Sequence, residues 1–257
     1  MSNQTSLAAR PRLQLVLTSL LRADFLVLIR NPRGLVLSFI LPLFILLVTA
    51  SGKGTVRLGG LLILIGLAIT LGLLSLSIIG YALNMARDRE QGVFQRLRVT
   101  PAPTWTIMGS RLATQMVANL AIALVVVIVA SVVHHLALSL AQYVLVLLVS
   151  LLGGAVFLSI GQALVGLLRS ADTINAAGRV LLIALMFLGI FAQSGLLGAT
   201  WESIARWTPV GAVMTLFAEV LNLNSWTSSD VLSVVACLGY IVVCTAIGIR
   251  WFQWEAR

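Results

Sequence analysis

Four arginines and two acids crowd together between Arg87 and Pro103, in the stretch RDREQGVFQRLRVTPAP. Arg87, Arg89, Arg96 and Arg98 supply the cations, and Asp88 and Glu90 the carboxylates. The chemistry open to such a set is charge-assisted hydrogen bonding to a partner. Gly92 can break a helix here, because glycine takes backbone angles that other residues avoid. Val93, Phe94 and Leu97 then recur at helical spacing beside Arg96 and Arg98. Pro101 and Pro103 end the short helix, since proline donates no backbone hydrogen bond. The pattern predicts an amphipathic helix that offers apolar knobs and cations to something soluble.

A second set is Arg111, Gln115 and Asn119. Spacing of four puts the three on one helix face. Polar groups inside a bilayer are costly and face other helices or water. The stripe is therefore either part of a translocation path with its cytoplasmic gate, or a set of interhelical hydrogen bonds holding a bundle together. The sequence leaves both open. Two further candidates carry less. His134 and His135 are adjacent, point to different helix faces and have no other ligand nearby, so they mark a turn and not a metal site. Cys237 and Cys244 lie about 10.5 Å apart in helical rise, too far for an intrahelical disulfide, and read as small buried hydrophobes. The chain has no GxxxxGK[ST] phosphate loop. It has no Ser/His/Asp or Cys/His set and no metal-ligand cluster. No catalytic residue and no cofactor is expected in this chain.

The elements that position these residues are spans. Of 257 residues, 60% are hydrophobic and only 10% charged, against roughly 25% in soluble chains. The mean hydropathy is +1.06. The net charge of +9 could suggest nucleic acid, but the cations sit between apolar runs, where a positive-inside bias explains them. Leu13–Arg30 reads as an amphipathic helix in the membrane interface, with Gln14, Thr18 and Arg22 opposite Leu13, Leu17, Leu20 and Leu28. Six spans follow: Gly34–Ala50, Leu58–Ala86, Trp105–Val133, Tyr143–Leu168, Val180–Ala199 and Val231–Phe252. Pro42 kinks the first. Arg169, Asp172 and Arg179 fall in a short cytoplasmic loop before the fifth. Between the fifth and sixth, Thr200–Asp230 predicts two short amphipathic helices dipping into the outer leaflet. Trp201, Ile204 and Trp207 face one way on the first. Thr208 caps the second, with Pro209 in its first turn and an apolar stripe of Val210, Val213, Met214, Phe217 and Val220.

The order Arg87-Asp88-Arg89-Glu90-Gln91-Gly92, then Arg96-Leu97, then Thr100-Pro101, resembles the cytoplasmic loop of ABC-2 type transporter permeases. Ser194-Gly195 and Trp207-Thr208-Pro209 resemble the fifth span and outer re-entrant helices of that family. The family often has Thr-Leu-Glu after the glycine, where this chain has Val93, Phe94 and Gln95. The resemblance implies that the loop is a coupling helix docking on a separate ATP-hydrolysing subunit. Arg87, Arg89, Glu90, Gly92, Phe94, Arg96, Leu97, Thr100 and Pro101 would then be the ATPase-coupling residues.

The expected fold is all-α and integral to the membrane. It has six transmembrane helices, an N-terminal interfacial amphipathic helix, a cytoplasmic coupling helix between spans 2 and 3, and outer re-entrant helices between spans 5 and 6. Residues 1–33 form the N-terminus with the interfacial helix, and 34–257 the transmembrane domain. With both termini cytoplasmic, fourteen of the seventeen cations lie inside and three outside. The resemblance implies a permease in a bacterial plasma membrane, with two ATPase subunits holding ATP and Mg. A second permease chain, identical or paralogous, completes it. Apolar span interiors and few aromatics suit export of a hydrophobic or amphipathic small molecule or a lipid. A lipid-linked glycan is the alternative cargo. An ion-coupled carrier or channel is the alternative mechanism, which the placement of all eight acids in loops and interfacial helices disfavours. A membrane-embedded scaffold subunit is a third class.

Overall fold

The computed structural model describes residues 13–30, 32–50, 60–98, 104–194, 204, 206–222 and 228–251. Among them every regular element is a helix. α1 is Leu13–Arg30 and α2 is Pro32–Ala50. α3 is Leu61–Glu90, interrupted by a π-helical turn at Leu76–Tyr81. α4 is Val93–Arg98, α5 Thr104–Val133, α6 Leu140–Leu167 and α7 Ala171–Ser194. α8 is Pro209–Asn222 and α9 Ser228–Arg250. Five of these, α3, α5, α6, α7 and α9, are long and apolar enough to cross a membrane.

α3 is the axis of the bundle. Every residue from Leu64 to Leu74 is buried, as expected of a helix that is apolar all round. α2, α5, α6, α7 and α8 all pack against it. The expected start of α3 at Leu58 lies outside the described residues. The helix runs on past Ala86 to Glu90 before the break at Gly92, as expected, carrying Asp88, Arg89 and Glu90 in its last turn.

Two expectations need correction. The charged stretch after α6 is not a loop as far as Arg179. α7 begins at Ala171, because the Ser170 hydroxyl accepts from the Thr173 amide at 3.1 Å and caps the helix. Asp172 sits in its first turn, beside the positive end of the helix dipole. α8 starts as expected, with the Thr208 hydroxyl accepting from the Gly211 amide at 3.1 Å. It is not a one-sided surface helix, however. Beyond the predicted stripe, Gly211, Ala212 and Leu216 are buried too. α8 is wedged among α3, α6, α7 and α9. Glycines on three of these make room. A Cβ at Gly66, Gly153 or Gly189 would meet Phe217, Val213 or Val210 at 3.1, 2.9 and 2.5 Å. The first of the two expected short helices lies mostly outside the described residues.

α1 keeps Thr18 and Arg22 exposed and Leu17, Leu20 and Leu28 half-buried, as its stripe predicts. It packs on α5. His134 and His135 form a turn, His135 with φ of 52°, and His134 Nε2 lies 3.2 Å from the Thr49 hydroxyl on α2. Cys237 is buried and Cys244 half-buried, both as free thiols.

Candidate functional site

At the end of α3 the chain turns sharply. Gln91 and Gly92 form the turn, and Gly92 has φ of +68°. That left-handed angle costs a residue with a Cβ roughly 1–2 kcal/mol, which is why glycine stands there. α4 follows at once, so a single non-helical step joins it to the central helix.

The charged residues of this segment point in different directions. Arg87 is exposed. Asp88 pairs with Arg111 of α5. Arg89 turns fully inward, with 3% of its surface exposed. Its guanidinium donates to the carbonyls of Val165 at 3.0 Å, Leu168 at 2.8 Å and Arg169 at 2.6 Å. These are carbonyls that the end of α6 leaves without helical partners. Glu90 Oε1 accepts from the Ala171 amide at 2.7 Å, the first residue of α7. A carboxylate at a helix N-terminus is also favoured by the helix dipole.

Phe94 departs from the expected role of an outward knob. It is 1% exposed and belongs to a cluster with Tyr81, Met85, Leu158, Val165 and Ile174. The Arg111 guanidinium lies over its ring, 5.0 Å from the centroid, within cation–π range. The physical reason is that α4 lies against the bundle, so its best apolar side chain packs there. Gln91 and Gln95 are exposed. Arg96 and Leu97 fall on α4, with side chains outside the described set, and Thr100 and Pro101 lie outside the described residues altogether.

The second predicted set bonds to the π-turn. Gln115 Nε2 donates to the Leu76 carbonyl at 3.2 Å, and Asn119 Nδ2 donates to the Ser77 hydroxyl at 3.1 Å. A π-turn breaks the regular i−4 ladder, and Gln115 takes up one of its carbonyls. Asn119 is completely buried. Within this chain, then, Arg111, Gln115 and Asn119 all bridge α5 to α3.

Arg111 and Gln115 also line a cavity of about 270 Å³ between α1, α3 and α5. Asp24, Asp88, Asn84 and Thr114 bring its polar side, and Val27, Leu28 and Met85 its apolar side. Asp24 Oδ2 accepts from the Ser110 hydroxyl at 2.7 Å. Burial pushes the Asp24 carboxyl above its ordinary range, Ser110 and Arg111 pull it back, and Asp88 adds a little to the rise. Sequence reasoning missed Asp24, Ser110 and the Tyr81 hydroxyl, which donates to Gln162 Oε1 at 2.6 Å. Asp24 could have been noticed as the one acid in α1. Among the described residues no group of three or more His, Cys, Asp or Glu side chains is placed to hold a metal ion.

Residues 16–222 match the ABC-2 type transporter family. The chain belongs to that family. With five helices long and apolar enough to cross a membrane among the described residues, it is a multi-pass membrane protein of the ABC-2 type. A curated protein of Bacillus subtilis (strain 168), described as "Putative transport permease YvfS", is 25% identical over 161 residues. That alignment covers 62% of this chain and 65% of the relative, so this ABC-2 chain spans less than two thirds of the relative's length.

Proposed function

We propose that this chain is the membrane subunit of an ATP-driven exporter. The turn and helix from Arg87 to Pro101 form its coupling segment, docking on a separate ATPase subunit that holds ATP and Mg. Two permease chains and two ATPase subunits make the working complex, in a bacterial plasma membrane with both termini cytoplasmic. α2, at 19 residues or about 28 Å of helix, is the sixth span. α8 serves as the outer re-entrant helix, and the transmembrane domain covers 34–257.

The observation that carries this reading is the division of labour in the coupling segment. Asp88, Arg89, Glu90 and Phe94 fasten it to three helices of the bundle. Arg87, Gln91 and Gln95 stay exposed beneath it. A solvated loop that only fixed topology would need no such anchoring. By the family resemblance Arg96, Leu97, Thr100 and Pro101 belong to the same coupling segment. The cargo is a hydrophobic or amphipathic small molecule or a lipid, since the cavity beside α1 joins apolar walls to a few polar groups. Arg111 and Gln115 meet its polar end there, while Asn119 holds α5 to α3.

The test is copurification from native membranes with intact mass, then hydrolysis in nanodiscs with apolar drugs, phospholipids or polyprenyl-linked sugars added. An ATPase subunit and stimulation by the apolar compounds are expected. Arg96→Glu should weaken partner binding about tenfold or more, as one charge-assisted contact contributes roughly 1.5–3 kcal/mol. A purified chain that transports without any nucleotide-binding partner would sink the reading. Stimulation by polyprenyl-linked sugar alone would replace the cargo.

A further inference from the structure

Asp88, Arg89 and Glu90 are consecutive, yet each bonds a different helix. Successive residues of an α-helix are turned by about 100°, so three in a row look out over more than half a circle. Here the three directions are occupied. Asp88 reaches Arg111 on α5. Arg89 closes the Val165 carbonyl in the last turn of α6 and the Leu168 and Arg169 carbonyls just beyond it. Glu90 holds the first amide of α7. α6 is in turn locked to α9 beside the Arg89 contact. A Cβ at Gly166 would lie 3.0 Å from the Gly248 carbonyl oxygen, so the two backbones touch.

We propose that Asp88, Arg89 and Glu90 are positioning residues that distribute motion of the coupling segment, with Arg89 and Glu90 clamping it to the α6–α7 turn as one rigid body. This rests on the coupling-segment reading above. It assigns Arg89 and Glu90 an inward task, in place of contact with the ATPase. The α6–α7 turn moves with α4, and α9 follows through its glycine contact with α6. α5 follows separately, through Asp88 and Arg111.

The experiment uses spin labels in a variant with both native cysteines replaced by alanine. Labels at Gln95→Cys and Thr173→Cys, both exposed positions, read the clamp in the purified chain without a partner. A narrow distance is expected, broadened and lengthened in Arg89→Gln/Glu90→Gln. Arg89→Lys and Glu90→Gln alone disturb less, fold more safely and should fall between. A second pair, Val132→Cys and Val231→Cys, reads the opposite ends of α5 and α9. In the complex with its copurified ATPase, trapping with ATP and vanadate should shift the second pair and leave the first unchanged. In the double variant α5 still moves through Asp88 and Arg111 while α9 no longer follows, so the second shift should change in size or sign while hydrolysis continues. The proposal is overturned if the first distance changes on trapping, if the wild type shows no second shift, or if the variants keep it in full. Should no ATPase copurify, the coupling reading falls. The clamp is then judged on the first pair alone, where a distance unmoved by the substitutions overturns it.

Discussion

Asp24 shows how one carboxylate can make a helix contact depend on pH. Burial raises its pKa above that of an ordinary aspartate. The folded chain therefore holds the proton at a pH where the unfolded chain has lost it. That contribution to stability is fully present below the unfolded pKa and is lost as pH rises through the folded one. Asp24→Asn keeps an acceptor for Ser110 and removes the charge. Its melting temperature in detergent should equal or exceed wild type at neutral pH, and the gap should close on acidification. An identical pH slope in both proteins would show that Asp24 does not titrate against burial. Gln115 belongs to the same scale. Gln115→Leu strips the Leu76 carbonyl of its side-chain donor and should destabilise by about 0.6–1.7 kcal/mol, the usual range for interhelical bonds in membranes. A thermal melt unchanged within error would place that bond outside the folding energetics.

Among the elements, the contact of α6 with the π-turn is the tightest test. A Cβ at Gly161 would sit 2.8 Å from the Ser77 carbonyl oxygen, which is backbone and cannot swing away. Gly161→Ala should therefore force α6 off α3 and lower the melting temperature or the yield of folded protein. Gly239→Ala on α9 meets nothing within 4 Å and should leave both unchanged in the isolated chain. Equal effects of the two would contradict the packing. The same contrast explains what the sequence could tell. Gly92, Thr208 and Pro209 declare themselves, because their backbone chemistry is local. The inward aim of Arg89 and Phe94 is not local. Their spacing predicts a helix with two faces, but only the neighbouring α6–α7 turn decides which face is buried. The stripe of α8 predicts a one-sided helix for the same reason, since the space that encloses it is made by glycines far away in sequence. The π-turn has no marker at all. Ser75 to Tyr81 suits an ordinary helix, and the extra residue is accommodated by Gln115 and Asn119 from α5. The start of α7 is marked by the Ser170 cap on the Thr173 amide, a local signal set among the charges of Arg169, Asp172 and Arg179, which suit a loop equally well.

For the molecule as a whole, the charge asymmetry sets a sidedness that labelling can read. Gln95 lies at the α4 end, and Leu140, 80% exposed, at the opposite end of the bundle. In right-side-out vesicles, a membrane-impermeant maleimide should modify Leu140→Cys at once, and Gln95→Cys only after permeabilisation. The reverse pattern would invert the orientation and remove the coupling segment from the cytoplasm. The bundle around α3 makes the outcome uniform, since α2, α5, α6, α7 and α8 are all packed on one axis and cannot be oriented independently.

The π-turn at Leu76–Tyr81 also acts as a local sink for one residue. Its wider turn absorbs an extra residue that a regular helix would pass on as about 100° of rotation and about 1.5 Å of rise. Removing one residue inside the turn should therefore heal the helix and leave Asp88, Arg89 and Glu90 aimed much as they are now. Removing one residue below the turn, between Ala82 and Arg87, has no such sink and moves each charge back one place. Arg89 would then face Arg111, and Glu90 the carbonyls that the guanidinium now closes. The same deletion is thus absorbed or broadcast according to which side of one uncharged turn it falls on.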